Sequence, residues 1–387
     1  MKELRIGVIG VGGRGTLADL FNSDEFNARV VAGADLDAGH LASFRARNPG
    51  VEFTTDDYRD LVARKDLDAI AVFSPDFCHE EHAVAVLDAG KHLFLEKPMA
   101  ITVAGCDRIL AAWHRSGRRF FMGFNMRYMN WVRTMKQIVA EGTIGPVQAV
   151  WVRHFVPSGG DYYFHDWHAT RRNATSLLLQ KASHDIDVVH WIAGGHGTRV
   201  TGMGKRAYFG GDKPDDLRCD VCDIRSRCPE AQKPKSPRQL CCFRREIDQE
   251  DVNQILWELD NGVQCAYQQC HFASQNFKGR NYVFIGTEGM VENFWRDGRD
   301  CIEVTLRRGH GWKSYADRVY TVANLEGTHS GADPEMARDF LDMLRNNTVP
   351  AASPLDGRQS VAVGCAGAES LRNGSAPVAI PPPPVKS

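Results

Sequence analysis

The stretch "LRIGVIGVGGRG" (Leu4–Gly15) decides the first half of the fold. Leu4–Gly10 is a short continuous apolar run, the kind buried on both faces of a parallel sheet. Gly10, Gly12 and Gly15 then stand as G-x-G-x-x-G, with Gly13 and Arg14 inside the same turn and the helically spaced "GTLADLFNS" behind it. After a strand and before a helix, such glycines permit a tight turn and let the backbone approach a pyrophosphate. Working outward, "ARVVAGADLD" (Ala28–Asp37) is a second strand, and Asp35 near its end lies 20 residues past Gly15. A carboxylate there bonds a ribose 2′-hydroxyl and repels a 2′-phosphate, so the pattern predicts NAD over NADP. Arg14 pulls the other way, because a nearby guanidinium can hold a phosphate.

Strand and helix go on alternating as far as Phe124: "LDAIAVFSP", "HEEHAVAVLDAG", "KHLFLEKP", "VAGCDRILAAWHRSG" and "RFFMGF". That rhythm predicts a Rossmann-type doubly wound parallel sheet over 1–124. Longer strands dominate afterwards, as in "NQILWELDNGVQCAYQQCHF", whose Asn261–Gly262 step is a hairpin turn. The expectation for 125–380 is an α/β domain with a mostly antiparallel sheet. Residues 212–246 form a Cys-rich insertion, and the Pro-rich tail 381–387 is expected to be extended and mobile.

A chain of 387 residues exceeds one ordinary core, in keeping with two domains. A charged fraction of 25% and a net charge of −1 give no sign of a nucleic-acid or membrane partner for the whole chain. No apolar run reaches the roughly 18 residues of a membrane span. The first residues run straight into the glycine motif rather than reading as a signal peptide, which predicts a cytoplasmic enzyme. In a reducing compartment the eleven cysteines are thiols or metal ligands before they are disulfides. Five of them lie between Cys219 and Cys242. Cys219, Cys222, Cys228 and Cys241 allow a structural zinc, with free thiols or a loop disulfide as the alternatives.

"VFSPDFCHEEHAVAVLDAGKHLFLEKPMA" (Val72–Ala100) closely resembles the Gfo/Idh/MocA family, that of glucose–fructose oxidoreductase and inositol dehydrogenase. The resemblance rests on Ser74 and Pro75 ending a strand, His79 opening a helix, and the run Glu96, Lys97, Pro98. Asn125 and Arg127 in "GFNMRYMNW" also match. It implies that Ser74, Pro75, His79, Glu96, Lys97 and Asn125 serve the cofactor, with a cis bond before Pro98. It further implies a second domain with an open sheet, a sugar or polyol substrate against that sheet, and a homo-oligomer. Lys97 would touch the reacting hydroxyl and help move its proton. It ends a parallel strand, the edge where such sheets bind ligands.

"LLLQKASHDIDVVHW" (Leu177–Trp191) places Lys181, His184, Asp185 and Val188 on one face of an expected helix, flanked by Asp187. The family's His-x-x-Asp signature implies catalytic roles for His184 and Asp187, and imidazole titrates near neutral pH. The chain departs from the family here: Gln180 replaces a common acid, Lys181 gives Lys-x-x-His, and Ala174, Thr175 and Ser176 replace glycines. Upstream, Trp167 could stack on a sugar ring, and Arg171 or Arg172 could hold an anionic substituent; Tyr128 is a further substrate candidate. The expected function is an NAD-dependent oxidoreductase acting on a sugar hydroxyl, with Lys97, Lys181, His184 and Asp187 carrying the chemistry. A redox-neutral NAD-dependent glycoside hydrolase is the alternative, and a nucleotide-sensing scaffold is a third reading.

Overall fold

The computed structural model describes residues 2–156, 158–274, 279–296, 298–307, 315–323 and 325–384. The strands of the first sheet are β1 (Leu4–Ile9), β2 (Ala28–Ala34), β3 (Phe53–Thr55), β4 (Ala69–Val72), β5 (His92–Glu96) and β6 (Phe120–Gly123). Those of the second are β7 (Val147–Phe155), β8 (Gly197–Lys205), β9 (Val252–Leu259), β10 (Gln264–Cys270), β11 (Arg280–Gly286), β12 (Gly289–Arg296), β13 (Arg299–Leu306), β14 (Arg318–Val322) and β15 (Val378–Ala379). The helices are α1 (Ala38–Arg47), α2 (Tyr58–Ala63), α3 (His79–Asp88), α4 (Val103–Ser116) and α5 (Asn130–Ala140). They continue as α6 (Arg171–Ala174), α7 (Leu177–Gln180), α8 (Ser183–Ala193), α9 (Ala332–Asn346) and α10 (Pro354–Arg372).

One compact unit comprises Met1–Arg133, Asn324–Val361 and Pro383–Ser387. Its sheet is parallel throughout, in the order β3-β2-β1-β4-β5-β6. The order reverses beside β1, which makes the carboxyl ends of β1 and β4 the ligand edge of such a sheet. Side-chain caps start the helices: Asp37 accepts from His40 N at α1, Asp57 from Arg59 N at α2, and Thr102 from Gly105 N at α4. Gly117, at φ 62°, closes α4. The core is aromatic. Phe94 stacks on Phe121 at 5.3 Å, and Phe340 of α9 meets Phe21 at 5.0 Å and Phe94 at 5.3 Å. By packing, this unit therefore takes in α9, some two hundred residues beyond the last strand of its sheet.

The second unit comprises Thr134–Ala323 and Ala362–Pro382. Its nine strands run β14-β13-β12-β11-β7-β10-β9-β8-β15, with only β7 and β10 parallel. This is the mostly antiparallel sheet expected, and Gly262, at φ 85°, makes the predicted turn between β9 and β10. One face of the sheet is buried. The other leaves Trp151, Met203, Leu256 and Ile285 exposed, and Trp151, Leu256 and Ile285 line a groove of about 710 Å³.

The Cys-rich excursion does not support the structural-zinc expectation. Cys219, Cys222, Cys228 and Cys241 line one cavity of about 50 Å³, yet among the described residues no group of three or more His, Cys, Asp or Glu is placed to hold a metal. Among the described residues no disulfide joins any of the eleven cysteines. Other forces fasten the segment. Fully buried Arg244 donates to the carbonyls of Phe164 (2.6 Å), Cys241 (3.0 Å) and Asp166 (3.1 Å) and pairs with Glu246 at 2.7 Å. Phe209 stacks on Phe164 at 4.1 Å, and Asp251 accepts from the backbone of Ala207, Tyr208 and Phe209. An arginine spending its donors on carbonyls satisfies what a loop would otherwise leave unpaired.

Candidate active site

In the first unit the glycine-rich turn is built for close backbone approach. Gly10 has φ 81°, and a Cβ there would stand 2.7 Å from Ser74 N; one on Gly15 would stand 2.0 Å from Gly10 O. Neither position tolerates a side chain, whereas a Cβ on Gly13 would meet nothing within 4 Å. This cradle fits a dinucleotide pyrophosphate. Asp35 is gripped by the turn itself, accepting from Val11 N at 2.9 Å and Gly12 N at 3.3 Å.

Arg14 is already committed. Its Nε donates to Glu96 at 2.6 Å, and its two terminal nitrogens hold Asp333 at 2.7 and 2.8 Å. Asp333 also accepts from Thr328 at 2.6 Å and Asn125 at 3.2 Å, and lies 2.7 Å from His329 Nδ1. Burial would raise its carboxyl pKa, but His329, Arg14 and Thr328 hold it far below the usual range. Glu96 in turn accepts from the Lys97 backbone at 2.8 Å, and the Lys97–Pro98 bond is cis. Half-buried Lys97 thus follows directly on β5, whose last residue, Glu96, is held by Arg14.

The other residues predicted for the cofactor take supporting positions. His79 is 1% exposed, and both ring nitrogens meet backbone carbonyls, Pro98 O at 2.7 Å and Ser74 O at 2.9 Å, which ties the β4 and β5 ends together. Ser74 Oγ lies 2.8 Å from His82 Nδ1, and the Pro75 carbonyl accepts from Cys78 N. Tyr128, offered above as a substrate contact, is instead a core residue at 1% exposure that donates to Asp339.

In the second unit the expected single helix is two. Ser176 caps α7 through a 2.9 Å bond to Leu179 N, Lys181 follows its last turn, and α8 starts at Ser183. The break holds Lys181 at a junction instead of on a continuous helical face. Thr175 precedes it at φ 57°, where the family resemblance had placed a glycine. A β-branched residue is strained there, so Thr175→Gly should raise stability by about 1 kcal/mol. A higher thermal midpoint is the expected reading, and a lower one would refute the strain.

Asp185, fully buried, anchors a polar network that the sequence reading missed. It pairs with Arg280 Nε at 2.9 Å and accepts from the hydroxyls of Tyr267, at 3.1 Å, and Tyr282. His154 Nδ1 lies 3.4 Å from the same carboxylate and 3.2 Å from Arg280 Nη2. Burial would raise the Asp185 pKa, but Arg280, His154 and Tyr282 keep it well below the carboxylate range. Burial, and then Arg280, push His154 down to about 3, so that imidazole is neutral. Lys181 packs its ammonium 5.6 Å from the Tyr163 ring, and its pKa falls to about 8 through burial first and Arg280 second, against Asp185. His184 is half-buried and Asp187 buried on the same helix.

The upstream candidates are less available than the sequence suggested. Arg171 is held by buried Glu250 at 2.7 Å, which Arg372 also grips at 2.7 Å; Arg172 faces Glu246 at 3.7 Å. Trp167 already stacks on His168, 3.6 Å between ring centres.

A six-stranded parallel sheet with a glycine cradle at its switch point, and a lysine at a neighbouring strand end, defines an NAD-binding dehydrogenase-type chain with a second, sheet-based domain. Comparison with known families agrees. Residues 4–124 match the oxidoreductase family's NAD-binding Rossmann fold, and 136–380 its C-terminal alpha/beta domain. The chain belongs to the Gfo/Idh/MocA oxidoreductase family. It is 25% identical over 351 residues to YteT of Bacillus subtilis (strain 168), covering 81% of each chain. It is 34% identical over 193 residues to inositol 2-dehydrogenase of Klebsiella pneumoniae subsp. pneumoniae, covering 49% of this chain and 54% of that one. The match thus spans about half the length of that dehydrogenase. Among solved structures, a levoglucosan dehydrogenase in complex with NADH and levoglucosan shares the fold at TM-score 0.79 and 19% identity, over 98% of this chain and 100% of that one. The myo-inositol 2-dehydrogenase from Lactobacillus plantarum shares it at TM-score 0.72 and 20% identity, over 98% and 100%.

Proposed function

We propose that this protein oxidises a secondary hydroxyl of a sugar or polyol with NAD, or runs the reverse reduction. The commitment of Arg14 to Glu96 and Asp333 is the observation that carries the cofactor choice. It leaves Asp35, and no spare arginine from the glycine turn, to meet the ribose, and a carboxylate there disfavours a 2′-phosphate. When bound, NAD supplies the hydride acceptor. Lys97 moves the hydroxyl proton, held by a strand end that Glu96 and Arg14 keep rigid. The second unit binds the sugar through Lys181, with His184 as the further proton-handling group and Asp187 as its support. Inositol and levoglucosan dehydrogenases among the similar proteins support a carbohydrate substrate.

A cytoplasmic setting accords with cysteines that form no disulfide among the described residues. A homo-oligomer accords with the exposed apolar residues of the nine-stranded sheet, since a large exposed apolar patch commonly marks an interface. The deciding experiment incubates the protein with NAD or NADP and a panel of sugars, polyols and aryl glycosides. Substrate-dependent NADH formation, about tenfold or more faster than NADPH formation, is expected. Aglycone release without net NADH would replace this reading with the redox-neutral glycosidase, and bound NAD with no turnover of any substrate would favour a sensor.

A further inference from the structure

We propose that Lys181 and Arg280 form an anion subsite in the second unit, and that the sugar it selects carries a carboxylate. This rests on the carbohydrate reading above and adds its substrate class. Arg280 and Asp185 are the charged groups that act on Lys181, so two cations share one carboxylate. That carboxylate is already taken by Arg280, Tyr267 and Tyr282. Among the described residues no carboxylate lies within ion-pair distance of the Lys181 ammonium. A surplus positive charge in such a setting is costly unless an anion joins it.

The neighbouring groups do not supply that anion. His154 and His271 are both driven down to about 3 by burial and are neutral, and Tyr163, Tyr267 and Tyr282 are phenols. With its pKa near 8, Lys181 is mostly protonated at neutral pH. The layering of exposure then shows which groups face outward. Asp185 is completely sealed, whereas the Arg280 side chain is 21% exposed and Lys181 is half-buried. The acid is at the back and the cations are in front. A second observation points to a ligand. His271 is fully buried and its ring meets Tyr163 at 5.4 Å, the same ring that Lys181 packs on, yet its Nε2 has no hydrogen-bond partner among the described residues. One surplus charge matches a monoanion better than a dianion, which favours a carboxylate over a phosphate. The arginines that the sequence had offered for this role, Arg171 and Arg172, face Glu250 and Glu246 instead.

The test is calorimetric titration of the NAD-saturated protein with D-glucose, D-glucuronate and D-glucose 6-phosphate, beside an NADH assay on each. Glucuronate should bind about tenfold or more tighter than glucose. In Lys181→Met that preference should shrink to about threefold or less, and Arg280→Lys, which keeps a charge against Asp185, should weaken glucuronate about fivefold through loss of the guanidinium fork. Equal binding of glucose and glucuronate, tighter binding of the phosphate, no binding of any of them, or an unchanged preference in Lys181→Met would each overturn the proposal. Glucuronate bound without any NADH would leave the subsite standing and sink the oxidoreductase reading. NADH formed from glucose, with no preference for glucuronate, would do the reverse.

Discussion

Lys97→Ala lowers turnover roughly a hundredfold to ten-thousandfold, the range of a lost proton-transfer group, while NAD still binds with its original affinity. The reason lies in how Lys97 is held. Its backbone is bonded to Glu96, Glu96 to Arg14, and Arg14 to Asp333, so the strand end has little freedom to re-aim a substitute. The glycine cradle and Asp35 do not depend on the lysine side chain, and cofactor affinity should therefore survive. Lys97→Arg should fail almost as badly, because a guanidinium keeps the charge but does not release a proton. Single-turnover NADH formation with parallel NAD titration separates the two effects. Unchanged turnover in Lys97→Ala would remove Lys97 from the chemistry.

Asp185→Asn is expected to destabilise the protein by about 3 kcal/mol, because it strands the Arg280 guanidinium against two phenols. The sign of the pH dependence follows from the same contacts. The Asp185 pKa is depressed in the folded state, so its stabilisation is present above the unfolded carboxylate value of about 3.9 and is lost as pH falls below it. His154 and His271, both down at about 3, favour the folded protein as neutral rings; their contribution is present above the unfolded value of about 6.5 and fades as pH falls through it. The thermal midpoint should therefore decline from about pH 6.5 downward and steepen near 4, and Asp185→Asn should lack the steep limb. An identical acid profile in the variant would refute this assignment.

Much of the first unit was readable because its signals are local. An apolar run, a glycine turn and an acid at the end of the next strand are consequences of short-range geometry, and the structure keeps all three. The fate of Arg14 was not readable. Its partners are Glu96 and Asp333, and no periodicity links a glycine turn to a residue 319 positions later. The second site divides the same way. Lys181, His184 and Asp187 stood out as charges in an apolar run, whereas Arg280, Tyr267 and Tyr282 sit on strands whose alternation looks ordinary. Only the tertiary pairing with Asp185 gives them meaning. The break at Lys181 was hidden too, since Leu177–Trp191 has helical spacing throughout. The cysteines left zinc, free thiols and a disulfide all open, and spacing alone could not show that Arg244, a residue with no motif around it, fastens the segment.

The packing of α9 has a consequence for how the chain is made. Met336, Phe340 and Leu341 belong to the aromatic core of the nucleotide-binding unit, and Asp333 closes its arginine. During synthesis the six strands of that sheet emerge early, but the ribosome must add about two hundred residues more before the core can close. Until then Phe21 and Phe94 lack their last neighbour, and Arg14 its bidentate partner. The nascent first half thus keeps part of its apolar core uncovered, and a gene fragment cut after the sixth strand would yield an unfinished core.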